Sequence, residues 1–175
     1  MKHSKTKTKV KTPTQLLRKD HQKVKTLFSE FEKTENASHM KQIFESAAQE
    51  LKIHTKVEED LFYPAAEKAI QDEELICEAF EEHHVVDLLM GELEMLDVHD
   101  PEEKKTFRAK FTVLMENVKH HIKEEENHLF PKFEKTKSDK KQLLEQMLLE
   151  KQNLEEEFGE INYAQPSHME RSFLQ

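Results

Sequence analysis

The sequence predicts an all-α protein, an up-down-up-down four-helix bundle with an additional C-terminal helix. Three observations carry that expectation. Only 2 glycines and 5 prolines punctuate 175 residues, too few turn formers for a sandwich, a barrel or a glycine-loop nucleotide fold. Apolar residues recur every three or four positions over four long stretches, which is the spacing of one helix face. The breaks between those stretches are short, and short connections make successive helices antiparallel neighbours. The length suits one domain, with an apolar share of 35% against 36% charged residues that is low for a globular chain.

Residues 1–11 carry five lysines and only Val10 to bury, so they read as a disordered basic arm. Thr12-Pro13-Thr14-Gln15 announces the first helix with a cap, a first-turn proline and a capping-box glutamine. Its apolar face runs Leu17, Val24, Leu27, Phe28, Phe31. The second helix starts near Ser38 and runs through Phe44, Ala47, Leu51 and Leu61 to an expected break at Pro64, with an extension to about Ile70. The third covers about 72–96 with the face Ile76, Ala79, Phe80, Val86, Met90, Leu93. Asp100-Pro101-Glu102-Glu103 opens the fourth with a cap and acids that suit the helix dipole. That helix shows Phe107, Phe111, Leu114 and Val118, and is expected to stop near Pro131. The bundle thus spans 12–134. A fifth helix at 138–161, carrying Leu143, Leu144, Met147, Leu148, Leu154 and Phe158, covers a flank or mediates homo-oligomer formation. A loose tail, 162–175, follows.

A single cysteine, Cys77, excludes an internal disulfide and reads as a small buried apolar residue. The basic N-terminus has no apolar segment behind it, so it is not a secretory signal. No stretch approaches the roughly 18 apolar residues of a membrane span. These features point to the cytoplasm, without a membrane partner. A net charge of -9 disfavours nucleic acid, whose phosphates need a basic surface.

The chemistry lies where the apolar stripes are interrupted. The inward positions of the first helix are 17, 21, 24, 28 and 31, and His21 takes one. Those of the second are 44, 47, 51, 54, 58 and 61, where His54 and Glu58 sit in succession. His83 falls in the third stripe, and His121 and Glu125 end the fourth. Burying a carboxylate costs several kcal/mol, on the order of a folded domain's net stability, unless it is paired or holds a cation. Six such residues, with no lysine or arginine on the same stripes at that level, call for a shared cation.

An internal repeat supports this. His54-Thr55-Lys56-Val57-Glu58-Glu59 ending in Phe62-Tyr63-Pro64 matches His121-Ile122-Lys123-Glu124-Glu125-Glu126 ending in Leu129-Phe130-Pro131. A histidine and a glutamate four apart share one helix face and can grip the same or adjacent metals. The preceding helices echo each other through Asp20-His21 and Glu82-His83.

On these motifs the chain resembles the hemerythrin-like, HHE cation-binding family, over about residues 14–134. The resemblance implies a cofactor of two non-haem iron ions (Fe2+/Fe3+) joined by an oxo or hydroxo bridge inside the bundle. Carried across residue by residue, it makes His21, His54, His83 and His121 terminal ligands and Glu58 and Glu125 bridging carboxylates. The small-molecule partner it implies is dioxygen, peroxide or nitric oxide, in storage, sensing or oxidant handling rather than as a dedicated enzyme. Oxygen-carrying members place a histidine four residues after the third-helix ligand. Here that position is Asp87, either an oxygen ligand or a surface acid. With one histidine fewer, more coordination positions stay open, which favours redox chemistry or sensing over clean transport.

His84 reads as surface or as a support to a ligand, His120 as solvated, and His128 as an ordinary polar residue in the place of Leu61, with a support or a stand-in ligand as the alternative. His3, His39, His99 and His168 fall in termini or loops. Phe62, Leu129, Val24 and Phe28 are candidate pocket walls, and ordinary core packing explains them equally well. Two alternatives stand beside the di-iron reading. One is an iron-binding or iron-sensing module without turnover, whose ligands would also suit zinc. The other is a ferritin-like di-iron oxidase built on ExxH at 81–84 and 125–128.

Overall fold

Each long helix begins where the sequence supplies a cap. In the computed structural model, which describes residues 10–164, Thr12 accepts from the Gln15 amide and Asn36 from that of His39. Asp72 accepts from Leu75, and Asp100 from both Glu102 and Glu103. These side chains satisfy amides that a helix start leaves without partners. They open α1 (Pro13–Phe31), α2 (Ala37–Val57), α4 (Glu73–Glu94) and α5 (Pro101–Glu124). Among the described residues there is no strand. The expectations for the basic arm up to residue 9, and for the tail from 165, lie outside the described residues, as do His3 and His168.

The second and fourth helices do not break at their prolines. After α2 the chain makes a π turn, Glu58–Phe62, and resumes as α3 (Tyr63–Ile70). After α5 it makes the equivalent π turn, Glu125–Leu129, and resumes as α6 (Phe130–Glu134). In each, an amide bonds five residues back, Tyr63 to Glu58 and Phe130 to Glu125. Pro64 and Pro131 stand in the first turn of the resumed helix, where a missing N–H costs least. The turn adds a residue, so Phe62, fully buried, takes the inward place expected of Leu61, which is only half-buried. Both π turns begin at the buried glutamates. Such turns are frequent at functional sites.

α1 pairs with α2 and α4 with α5, and α1 also meets α5. The last helix, α7 (Lys140–Ala164), docks on α1, α2 and the first π turn through Leu143, Leu144, Met147 and Leu154. It runs beyond the end expected at 161. Leu148, expected on its packed face, is exposed.

The apolar core is in two parts. One holds Phe28, Phe31, Phe44, Phe107 and Phe111 in edge-to-face contact, with Met90 and Leu93. The other holds Leu17, Ile53, Phe62, Tyr63, Phe130 and Phe133 under α7. Two inward expectations fail at the rim of α4. Phe80 is 40% exposed, although its ring meets Tyr63 edge-on, and Cys77 is exposed rather than buried. Both lie on the margin of the Ile76–Ala79–His83 stripe, where a fourth-residue step rotates a side chain towards solvent.

Candidate metal centre

The gap between the two halves of the core is filled by the six polar residues that interrupt the stripes. His21 lies between Leu17 and Val24, His54 between Leu51 and Val57, His83 between Ala79 and Val86, and His121 just beyond Val118. All four histidines are buried, and Glu58 and Glu125 are 0% and 2% exposed. Two ligand groups result. His21, His54, Glu58 and Glu125 form one, and Glu58, His83 and His121 the other.

The ring nitrogens fix how the group can act. Nδ1 of His21 lies 2.9 Å from Glu126, that of His83 2.8 Å from Glu59, and that of His121 2.7 Å from Glu82. A carboxylate accepts only, so each Nδ1 carries the proton and donates it. Nε2 of each of these rings is then the atom aimed inward. Yet Nε2 of His83 and His121 lie 3.1 Å apart, and those of His21 and His54 3.2 Å. Two acceptors at that separation repel unless a proton or a cation lies between them.

The carboxylates join the two pairs. Oε2 of Glu58 is 3.1 Å from His54 Nε2 and 3.5 Å from His83 Nε2. Oε2 of Glu125 is 3.2 Å from His21 Nε2 and 3.5 Å from His121 Nε2. Neither oxygen of Glu58 has a hydrogen bond, nor does Oε2 of Glu125. Such buried orphans cost several kcal/mol unless something else satisfies them, so each calls for an explanation. Donors about 2 Å from one cation and roughly at right angles lie about 3 Å apart. The observed spacings fit that arrangement.

Burial, reinforced by the charge of Glu125, pushes the Glu58 carboxyl well above the usual carboxylate range. Burial alone would raise Glu125 too, but the charges of His121 and His21 hold it down at about 2. Burial lowers His54 to about 4. For His121 burial is outweighed by the charge of Glu125 and the bond to Glu82, so its value is raised.

Over the nitrogens lies a cavity of about 20 Å³, walled by Val24, Leu51, Val86, Val118 and Ile122. It has room for one water-sized molecule. Val24 is a wall as expected. Phe28 belongs instead to the aromatic cluster, and Phe62 and Leu129 to the apolar half beneath the cage. Asp87 and His84 are exposed and outside both ligand groups. His128 is exposed and bonds Glu124, and His120 is exposed beside Glu82. With His84 and His128 at the surface, the ExxH pairing of the ferritin-like alternative does not assemble.

Tyr63 is a site residue that the motif reading passed over. Its hydroxyl donates to Glu125 Oε1 at 3.1 Å and lies 3.2 Å from His83 Nε2. Burial and then the charge of Glu125 push its ionisation well above the phenol's usual value, so it stays a donor. The repeat puts Phe130 at the equivalent place, stacked 5.7 Å from the His21 ring. Tyr against Phe in the two Pro-ending motifs was the available signal. Tyr63→Phe is expected to cost the metal-free chain about 1.5 kcal/mol in urea unfolding, as one bond to a charged acceptor is lost. No loss would mean that Glu125 finds another donor.

The hemerythrin HHE cation binding domain model matches residues 12–133, and the chain belongs to that family. A crystal structure of a hemerythrin HHE cation binding domain-containing protein from Mycobacterium kansasii superposes with a TM-score of 0.69 at 22% identity. The match covers 83% of this chain and 88% of that one, and shows the shared fold. A DNA nickase of Nostoc sp. is 25% identical over 115 residues, 66% of this chain. The match spans 31% of that relative's length. Among the described residues no helix is long and apolar enough to cross a membrane.

Proposed function

We propose that the chain holds two iron ions in this cage and binds dioxygen, peroxide or nitric oxide there, for storage, sensing or oxidant handling. The observation that carries the reading is the set of buried Nε2 atoms and hydrogen-bond-free carboxylate oxygens converging across four helices. In it His21 and His54 hold one ion, His83 and His121 the other, and Glu58 and Glu125 bridge them. Two irons, when bound, supply one-electron steps and open coordination positions for a small ligand. The chain's part is to orient the imidazoles through the Nδ1 carboxylates, which also raise their basicity. The valine, leucine and isoleucine walls exclude bulk water, and Tyr63 holds a proton beside Glu125. We further propose residues 12–134 as the ion-binding unit, with 138–161 as an accessory helix.

Metal analysis and absorption after anaerobic purification test this. Two irons per chain, with charge-transfer bands on exposure to air, are expected. One zinc and no bands would leave a structural site. Mixing the reduced protein with dioxygen, peroxide and nitric oxide in turn then separates the ligands.

A further inference from the structure

We infer that the two halves of the cage are electrostatically unequal, and that Lys151 of α7 is a positioning residue that sets the difference by holding Asp20 away from His54. This rests on the two-ion reading above. The repeat makes Asp20, before His21, the counterpart of Glu82, before His83. Glu82 reaches across to His121 Nδ1 at 2.7 Å. Asp20, one methylene shorter, stops 3.9 Å from His54 Nδ1, which is left buried without a hydrogen bond. Instead, Asp20 Oδ2 lies 2.6 Å from Lys151 Nζ, with side-chain exposures of 8% and 14%. Little solvent is there to screen that pair.

The imbalance extends to the other supporting acids. Glu126, behind His21, also faces Arg18 at 3.4 Å and Lys25 at 3.6 Å. Among the described residues, Glu59 and Glu82 lie within ion-pair distance of histidines alone. The His21–His54 half therefore has two supporting carboxylates offset by three cations, and the His83–His121 half has two with none. A carboxylate whose charge is committed to a lysine supports an imidazole less. A first divalent ion settles at His83 and His121, a second more weakly at His21 and His54. α7 lies outside residues 12–133, so a helix beyond the family domain tunes one ion position.

The test is an anaerobic titration of the metal-stripped full chain with Co2+ alone, followed by absorption, with 15N NMR of the His54 ring in the metal-free form. Two steps about tenfold or more apart are expected, the range that such supporting partners command. Lys151→Met releases Asp20 to accept from His54 Nδ1, strengthens the second step about tenfold and shifts the Nδ1 resonance. Lys151→Arg keeps the wild-type gap. Asp20→Asn, which leaves the lysine's charge beside His54, weakens the second step about tenfold, and Lys151→Met has no effect in its background. An unchanged second step in Lys151→Met or in Asp20→Asn, with two ions still bound, overturns the inference. A wild-type chain that takes up no Co2+ would overturn the cage reading instead.

Discussion

Replacing Glu58 with methionine is expected to make the metal-free chain more stable and to end its ion binding. Glu58 is wholly buried with neither oxygen hydrogen-bonded, and burial with the charge of Glu125 forces a proton onto it. Methionine has similar length, carries no polar atom and fills irregular space. Exchanging buried ionic groups for apolar ones of like volume stabilises by about 1–4 kcal/mol in comparable cases. A gain near the middle of that range is expected in urea unfolding of the metal-free forms. Glu58 belongs to both ligand groups, so removing it weakens both ion positions, by about 100-fold or more if a direct ligand outweighs a supporting partner. A methionine variant less stable than its metal-free parent would mean that Glu58 is satisfied inside the protein, and the case for an ion there would fall.

That conflict between stability and binding is why the centre was legible in the sequence at all. A histidine and a glutamate at 54 and 58, again at 121 and 125, stand where packing alone would put leucine, so a periodicity argument finds them. The same logic reaches His21 and His83 and the bundle that carries them. It does not reach Glu59, Glu82 and Glu126, which sit at the margins of the stripes where an acid reads as solvated. Their role appears only when another helix brings an Nδ1 against them. Lys151 is further removed, since it meets Asp20 only because α7 folds back over α1 and α2. Helical phase also carries no mark of the π turns. Pro64 and Pro131 suggested a stop, while the chain widens one turn and continues, so Leu61 and Phe62 exchange roles. Cys77 and Phe80 fail for a related reason: a stripe specifies a direction but not its width.

Ion loading is expected to stabilise the chain by about 4 kcal/mol at a free concentration 1,000 times the dissociation constant at neutral pH, and at that same concentration the gain is expected to grow with pH. The sign follows from the four shifted groups. Glu58 and His121 hold their protons more tightly in the metal-free fold than in the unfolded chain. Each therefore adds stability that is present below its ordinary value and lost as pH rises through the raised one. Glu125, lowered to about 2, and His54, lowered to about 4, are already ionised and neutral at neutral pH. Their contributions are present above their ordinary values and lost only in acid. An ion needs all four as bases, so near neutrality loading expels protons from Glu58 and His121 but none from Glu125 or His54, and affinity rises with pH. Between about pH 7 and 8 the metal-free form then loses stability while the loaded form, whose ligands are bases both there and in the unfolded chain, holds its own, and their thermal midpoints separate. Midpoints that converge over that interval would show that the cage is already deprotonated when empty, with its charges balanced by some other group. Protection of the amides around the two π turns, measured by hydrogen exchange with and without the ion, locates the gain. It belongs at 58–62 and 125–129, where the bridging carboxylates leave the backbone, rather than in the phenylalanine cluster beyond Val24.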